Sequence, residues 1–179
     1  MDQELFQLIS EAKEGKQDAF EQLITRYKGA VYRQAYAMLG DHMEAEDVTQ
    51  EVFVKIYYSL SSLESAYAFT SWLTKITFNL CYDLIEKRKK KVTVTSENLD
   101  QLTRPNPPPS SRLIERKDLQ LTLQEAMQNL SLEHREVIVL RDIQGYSYDE
   151  IAKLLKVPSG TVKSRLYHAR LALKNELSK

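Results

Sequence analysis

Apolar residues recur every three or four positions along most of this chain, the spacing that places them on one face of an α-helix. Alternating apolar and polar residues, which are typical of strands, are scarce. The first clear stripe comprises Leu23, Tyr27, Val31, Ala35 and Met38, and Gly40 follows it in the position of a helix C-cap. The pattern predicts an all-α protein built from long helices.

Two further stripes follow the first. Asp41 can cap the next helix, whose stripe is Ala45, Val48, Val52, Ile56 and Leu60. After a serine-rich break, a third stripe runs through Phe69, Trp72, Leu73, Ile76, Leu80 and Leu84. These helices can bury their stripes against one another, so we expect a small helical bundle domain over residues 1–92.

The character of the chain changes over residues 93–112. Apolar periodicity is absent there, and three consecutive prolines at positions 107–109 favour an extended backbone. This composition predicts a flexible linker. Helical spacing resumes at Leu113, which indicates a second small domain over residues 113–179.

The second domain contains the most informative stretch, residues 145–170. Ser147 and Glu150 have capping-box spacing, and Pro158 is expected to end the short helix that they begin. Ser159 can cap a second helix. Its inward positions are Val162, Leu166, Ala169 and Leu173. Two helices joined by a tight turn predict a helix-turn-helix.

The outer face of that second helix is cationic and polar. It carries Lys163, Ser164, Tyr167, His168 and Arg170, all able to donate hydrogen bonds to phosphates or base edges, and no acidic residue. An ordinary helical hairpin with a solvated basic face is the alternative. The agreement of capping, turn and charge favours binding to double-stranded DNA.

The composition and charge limit which classes of protein this chain can belong to. Lys and Arg number 25, as do Asp and Glu, so the net charge is zero. Acids nevertheless crowd the first fifty residues and bases fill residues 87–91, which suggests either several binding faces or simply solvated surfaces. The single cysteine, the acidic N-terminus and the lack of a long apolar stretch predict a cytoplasmic protein that is not inserted in a membrane.

Four blocks, residues 47–57, 69–79, 130–137 and the helix-turn-helix, closely resemble the extracytoplasmic-function (ECF) group of RNA polymerase sigma factors, in the order of that family and over nearly the whole chain. The resemblance implies a sigma-2-like bundle and a sigma-4-like helix-turn-helix domain. It also implies a non-enzymatic protein that binds core RNA polymerase and recognises the −10 and −35 elements of promoter DNA.

The resemblance assigns residues to three surfaces. The resemblance implies that core polymerase is bound by Asp47, Gln50, Glu51, Phe53 and Val54. An acidic face that is simply solvated would have the same composition. The resemblance implies that a loop captures a flipped base of the −10 element. The residues it assigns to this element are Ser65, Tyr67, Phe69, Thr70, Trp72, Lys75, Asn79, Lys87 and Arg88. The residues that it assigns to the −35 element are Ser159, Thr161, Lys163, Ser164, Arg165, Tyr167, His168 and Arg170.

This chain departs from the family at Lys163 and His168, where members often have arginine. Lysine cannot make the two-pronged contact of arginine with guanine, so the −35 preference is open. The resemblance further implies an anti-sigma factor that holds the protein inactive until a stress signal.

Two other classes of protein compete with this interpretation. A freestanding regulator with an effector site in the bundle would carry the same DNA module, but the sequence shows no sign of a dimer surface or pocket. A hydrolase or metal enzyme is disfavoured because His42, His134, His168 and Cys81 lack ligand spacing. We therefore expect no cofactor, no metal site, no catalytic residues and no small-molecule substrate.

Overall fold

The structure is a computed structural model that describes residues 3–95 and 122–178. Every regular element within these ranges is helical, as the periodicity predicts. The helices are α1 (Gln3–Lys13), α2 (Gln17–Leu39), α3 (His42–Ser59), α4 (Phe69–Thr95), α5 (residues 122–129), α6 (Leu132–Ile138), α7 (Tyr148–Leu155) and α8 (Ser159–Leu177). The 3-10 turns Leu60–Ser62 and Ala66–Ala68 lead into α4, and the π-helical turn Val139–Ile143 extends α6.

The corner between α2 and α3 has the predicted caps. Gly40 ends α2 in the left-handed conformation, with φ of 74°, and its N–H donates to the carbonyl of Tyr36. Asp41 caps α3, because its carboxylate accepts a hydrogen bond from the N–H of Glu44 at 2.9 Å. The two caps set α3 back against α2, and α4 packs on both.

The first domain buries the three predicted stripes. Val31, Ala35, Val48, Val52 and Phe69 are almost fully excluded from solvent. Helix α4 continues to Thr95, so it ends three residues beyond residue 92, the predicted end of the first domain. The rest of the predicted linker, to residue 112, and the expected restart at Leu113 lie outside the described residues.

The second domain, α5 to α8, also buries the stripe predicted for it. Ile151, Val162, Leu166 and Ala169 are buried, which confirms the inward face that the spacing predicts for the helix-turn-helix. Leu173, the last residue of that stripe, is only partly buried.

The two domains pack against each other and share one continuous hydrophobic core. Arg135 of α6 is buried at this junction and donates to the carbonyl of Met38, at the end of α2, at 2.6 Å. Its guanidinium also donates to the side chain and the carbonyl of Gln128, both at 2.6 Å. A Cβ at Gly40 would lie 2.8 Å from the side chain of Gln128. The end of α2 therefore forms part of the junction.

Candidate nucleic-acid and polymerase-binding surfaces

The helix-turn-helix starts at the predicted capping box. The hydroxyl of Ser147 accepts from the N–H of Glu150, and the carboxylate of Glu150 accepts from the N–H of Ser147 at 2.8 Å. This pairing holds the pKa of Glu150 below its usual range, mainly because the Ser147 hydroxyl hydrogen-bonds to the carboxylate. The first turn of α7 is therefore fixed in position relative to the loop before it.

The turn between α7 and α8 differs from the prediction in two details. Helix α7 ends at Leu155 because Lys156 takes a left-handed conformation, with φ of 55°, two residues before Pro158. Pro158 is the N-cap of α8, and Ser159, the predicted cap, is the first helical residue and makes no capping hydrogen bond. Proline is suited to this boundary because it has no N–H to satisfy and cannot extend α7.

The outer face of α8 is exposed as expected. Lys163, Ser164, Tyr167 and His168 are all open to solvent, and the rings of Tyr167 and His168 meet edge to face at 5.3 Å. Thr161 is half-buried, and its carbonyl accepts from the hydroxyl of Ser164 at 3.0 Å. We refer to the four exposed residues as the −35 surface.

The structure brings two further residues to the −35 surface that the sequence did not indicate. The ring of Tyr148 lies under Arg141, with 4.9 Å from the guanidinium carbon to the ring centroid, and Lys163 Nζ lies 6.0 Å from the same centroid. Arg141 belongs to the π-helical turn, whose irregular phase a 3.6-residue repeat cannot predict. The aromatic residue next to the capping box was the available signal for Tyr148.

Arg165 and Arg170 of α8, which the resemblance makes candidates for phosphate binding or for supporting the helix, are both paired. Arg165 is bound to Glu133 at 2.9 Å, and only 22% of its side chain is exposed. Arg170 forms two hydrogen bonds with the carboxylate of Asp142, at 2.5 and 3.2 Å, which raises the pKa of the guanidinium. These pairs fix α8 to α6 and to the turn that follows α6.

Helix α3 presents the predicted acidic face. Asp47, Gln50, Glu51 and Val54 are exposed on the side opposite the buried stripe, and we name them the polymerase face. Phe53 is a correction, because its side chain is 7% exposed and packs in the core. The helical repeat places Phe53 beside Val52 on the inner half of the helix, so it supports the surface from below.

The loop before α4 combines buried anchors with exposed polar groups. Leu63 and Ala66 are buried, and Lys13 Nζ donates to the carbonyl of Leu63 at 2.5 Å. Ser65 is exposed and caps the second 3-10 turn through a hydrogen bond from the N–H of Tyr67. Tyr67 is 72% exposed. The loop is therefore anchored by its buried residues, while its polar residues and Tyr67 face solvent.

The −10 candidates on helix α4 differ in their exposure to solvent. Thr70, Lys75 and Asn79 are exposed, and Trp72 is partly buried. Phe69 is a second correction, because it is 1% exposed and its ring packs against Tyr27 at 5.3 Å. We name Ser65, Tyr67, Thr70, Trp72, Lys75 and Asn79 the −10 surface.

The two basic candidates near the end of α4, Lys87 and Arg88, also differ in their surroundings. Lys87 is exposed, but the guanidinium of Arg88 binds the carboxylate of Glu44 and donates to the carbonyl of Leu39 at 3.1 Å. Arg88, which was predicted to contact the −10 element, is thus paired at the corner between α2 and α3. Charge alone could not distinguish these neighbouring residues.

A groove of about 880 Å³, which we name the interdomain groove, runs between the −10 surface and the second domain. One wall is formed by the loop and the start of α4, including Tyr67, Trp72 and Lys75. The opposite wall is formed by Tyr146, Glu150, Lys153, Leu154 and Lys156. A smaller cavity of about 260 Å³ continues past Asn79 towards Glu136 and Arg165.

Burial perturbs two acidic groups where α4 meets α6. Desolvation raises the pKa of Glu136, although the hydroxyl of Tyr82 donates to it and Arg165 is nearby. Desolvation, reinforced by Glu136, also raises the pKa of Tyr82. Cys81 is buried beside them, and burial raises the pKa of its thiol to about 12, so the thiol is unreactive in this state.

The sequence matches two family models that correspond to the two domains. Residues 23–91 match Sigma-70 region 2, and residues 120–173 match Sigma-70, region 4. The ECF RNA polymerase sigma factor SigW of Bacillus subtilis is 34% identical over 177 residues, which cover 94% of each chain. The chain belongs to the ECF group of RNA polymerase sigma factors.

Two solved structures match this one across both domains. RpoE of Bartonella quintana, in complex with the anti-sigma factor NepR, has a TM-score of 0.70 and 27% identity, covering 89% of this chain and 96% of its own. CnrH, in complex with the cytosolic domain of CnrY, has a TM-score of 0.71 and 27% identity, covering 96% of this chain and 95% of its own.

Membership of this family confirms the predicted all-α, two-domain class, and it places the ECF sigma factor among initiation factors rather than enzymes. Within the described ranges, no group of three or more His, Cys, Asp or Glu side chains is arranged to hold a metal ion. No helix in those ranges is both long and apolar enough to cross a membrane.

Proposed function

We propose that this ECF sigma factor binds core RNA polymerase through the polymerase face and directs initiation by recognising the −10 and −35 promoter elements through the −10 and −35 surfaces. The outer face of α8 is the observation that carries the proposal. Four exposed donors occupy one side of a helix entered through a tight turn, and α8 projects them outward together.

The −35 surface suits major-groove recognition because its donors are of several kinds. Lys163 can bind a phosphate or a guanine edge as a point charge, whereas Tyr167 and His168 offer a hydroxyl and an imidazole for base edges. Arg141 and Tyr148 extend the surface at the flank, where the phosphate backbone would pass. Arg165 and Arg170 act as supports that hold α8 in place.

The −10 surface suits an unstacked single strand. Tyr67 and Trp72 provide aromatic faces, Ser65 and Thr70 provide small polar groups, and Lys75 provides a cation for phosphates. Asn79 lies two turns along α4 from Trp72 and can make amide hydrogen bonds to a neighbouring base. The loop is anchored at Leu63 and Ala66, so these groups are positioned before the strand arrives.

The polymerase face offers two carboxylates, an amide and an apolar side chain on one exposed stretch of α3. We further propose that an anti-sigma factor holds the protein inactive in the cytoplasm until a stress signal releases it. RpoE of Bartonella quintana, which was solved with such a factor, supports this part of the proposal. If a pull-down from cells in which the factor is silent recovers no dedicated inhibitor, this part is wrong.

The deciding experiment is run-off transcription with purified core polymerase on a promoter library, with and without the protein. We expect initiation that depends on the protein and that comes from promoters with a shared −35 and −10 pair. Absence of both polymerase binding and initiation would contradict the proposal and favour a freestanding regulator.

Two variants separate the surfaces in the same assay. Asp47→Lys should weaken polymerase binding at every promoter, whereas Tyr167→Ala should change the preferred −35 sequence. Glu14→Lys is the control for Asp47→Lys, because Glu14 is an exposed acid just after α1, where a lysine suits the end of the helix dipole. Equal losses at all promoters for Asp47→Lys and Tyr167→Ala would contradict the assignment of separate roles.

A further inference from the structure

We propose that helix α1 extends the −10 surface in two ways: Phe6 stacks on a second unstacked base, next to the base that stacks on Tyr67, and Lys13 holds the loop before α4 in position. This inference rests on the proposed function, because it concerns single-stranded DNA on the same surface. Helix α1 lies before residue 23, where the match to Sigma-70 region 2 begins, and the −10 candidates that the sequence indicates begin only at Ser65.

Helix α1 is fixed to the first domain by one buried face. Leu5, Ile9 and Ala12 recur at helical spacing, are buried, and pack where α1 meets α2. Gly15 then turns the chain in the left-handed conformation, with φ of 88°. The other faces of α1 therefore have a defined direction relative to α2 and to the loop before α4.

The face of α1 next to the buried one contacts the loop before α4. Helix α1 meets both 3-10 turns of that loop. The residues on this face follow one another at spacings of three and four, and they are Gln3, Phe6, Ser10 and Lys13. The acids Glu4 and Glu11 lie about 100° further round the helix. A phosphate backbone that passes this face of α1 therefore meets a cation and polar groups instead of carboxylates.

Phe6 brings a second aromatic ring to the exposed side of the loop. Its ring centroid lies 5.7 Å from that of Tyr67, with 47° between the ring planes. Phe6 is 42% exposed and Tyr67 is 72% exposed, so the contact between the two rings leaves much of each open to solvent. The separation exceeds the rise of about 3.4 Å between stacked nucleotides of a duplex strand, so it suits a strand whose bases have come apart. Each ring can accept one of two neighbouring unstacked bases.

Lys13 acts on the loop. Its ammonium group donates to the carbonyl of Leu63 at 2.5 Å, and the two residues are 50 positions apart in the sequence. A hydrogen bond from a charged donor is stronger than one between neutral groups, and this one is partly shielded from solvent. It fixes the backbone two residues before Ser65 at a set distance from α1. Lys13 is therefore a positioning residue, which keeps Ser65 and Tyr67 aligned with Phe6.

The first test measures binding of the holoenzyme to a fluorescent −10 nontemplate oligonucleotide by anisotropy. Phe6→Ala should weaken binding by about 5- to 100-fold, the range for loss of stacking on one aromatic ring. Phe6→Tyr keeps the ring and should bind as the wild type does. Gln7→Ala, at the exposed neighbour on the acidic side of α1, is the matched control and should leave affinity unchanged. Equal affinities for Phe6→Ala and the wild type would overturn the role of Phe6.

The second test asks whether Phe6 contacts a base of its own, by placing an abasic nucleotide at each position of the oligonucleotide in turn. Removal of the base that stacks on Phe6 should weaken binding to the wild type but not to Phe6→Ala, because the stacking is already lost. The base identified in the same way with Tyr67→Ala should be its neighbour. If both variants identify one and the same base, or Phe6→Ala identifies none, Phe6 only supports Tyr67 and the second stacking base is wrong.

The third test concerns Lys13. Lys13→Met should weaken binding by about threefold or more, because the loop loses its charged donor, and Lys13→Arg should restore most of the affinity. The slope of log affinity against log salt concentration should match that of the wild type. A slope smaller by about 0.7 would mean that Lys13 binds a phosphate of the single strand. That result, or an unchanged affinity for Lys13→Met, would overturn the positioning role.

Run-off transcription by the wild type separates this inference from the proposed function. If the wild type initiates transcription but Phe6→Ala and Lys13→Met bind the oligonucleotide as the wild type does, only the role of α1 is wrong. If the wild type does not initiate at all, the proposed function fails.

Discussion

The two surfaces proposed to bind promoter DNA are built in different ways. The −35 surface is one side of a single helix, and every member is exposed because the opposite side of α8 is buried. The −10 surface combines a loop with the first turns of α4, and it depends on anchors beneath the loop and faces the second domain. A surface on one helix follows from periodicity, whereas a surface on a loop depends on several contacts distant in sequence.

The sharpest test of the −10 surface compares its two neighbouring aromatics. Phe69→Ala should lower the free energy of unfolding by about 3–5 kcal/mol, because Phe69 is buried against Tyr27. Tyr67→Ala should change stability by less than about 0.5 kcal/mol, because the ring is mostly exposed. Chemical denaturation measures both.

The same pair should behave in the opposite way in DNA binding. Tyr67→Ala should weaken binding of the holoenzyme to the −10 nontemplate strand by about 1–3 kcal/mol if Tyr67 stacks on a base. If Tyr67→Ala unfolded the domain, or Phe69→Ala left stability unchanged, our division of the loop into anchors and contacts would be incorrect.

A substitution at the junction between the domains should cause the next largest loss of stability. Arg135→Met should lower the free energy of unfolding by about 2–4 kcal/mol, because the carbonyls of Met38, Gln128 and Leu130 lose a buried donor. Arg33→Met, which removes an exposed arginine from α2, is the control. Similar small effects for both variants would indicate that the junction contributes little to stability.

Much of this comparison could be predicted from the sequence. Spacing predicted the buried stripe of α8 and the exposure of Lys163 and Tyr167, and capping residues predicted the starts of α3 and α7. Spacing placed Phe69 in a buried stripe, and it was the family resemblance that assigned this residue to the −10 element. Phe53 is buried as well, but it lies at the edge of a stripe, so spacing could not separate it from its exposed neighbours. The pairing of Arg88 with Glu44 joins residues 44 positions apart, so no local pattern indicates it.

The docking of the two domains was beyond sequence reasoning for the same reason. A hydrophobic stripe shows that a helix is buried but not which partner buries it. Tyr146 and Gln144 look like ordinary loop residues in the sequence, and only the structure places them against Thr74 and Gln34. The π-helical turn, which carries Arg141, also shifts the helical phase just before them.

The buried carboxyl at the junction predicts a dependence on pH. Burial raises the pKa of Glu136, while Tyr82, Arg165 and Glu133 face it. A raised pKa means that the folded state favours the protonated acid, so this contribution to stability is present at acidic pH and is lost as pH rises through the raised value. Glu136→Gln should therefore stabilise the protein at pH 7 by at most about 2 kcal/mol.

Thermal unfolding of the wild type and Glu136→Gln from pH 4.5 to pH 7.5 checks this expectation. The difference between the two should grow with pH. Glu125→Gln, at an exposed acid on α5, should follow the wild type. A variant that is less stable than the wild type at pH 7 would show that attraction to Arg165 outweighs the effect of burial.

The smallest expected change in stability concerns the −35 surface. Asp142→Ala releases Arg170 and should alter stability by less than about 0.5 kcal/mol, because the pair is exposed. The released guanidinium can bind a phosphate, so holoenzyme binding to −35 duplex DNA should tighten and its salt dependence should steepen by about one phosphate contact. Glu125→Ala controls for the loss of one negative charge, and an equal effect there would contradict a specific release of Arg170.

Gly40 links the folding of one domain to the docking of the other. Its left-handed backbone ends α2, and the hydrogen at its Cα leaves room for Gln128, which accepts from Arg135. A single added methyl group would therefore disturb a local turn and, through one flexible side chain, the junction between the domains. A substitution at Gly40 acts on both domains, whereas a substitution on the −35 surface acts on one helix.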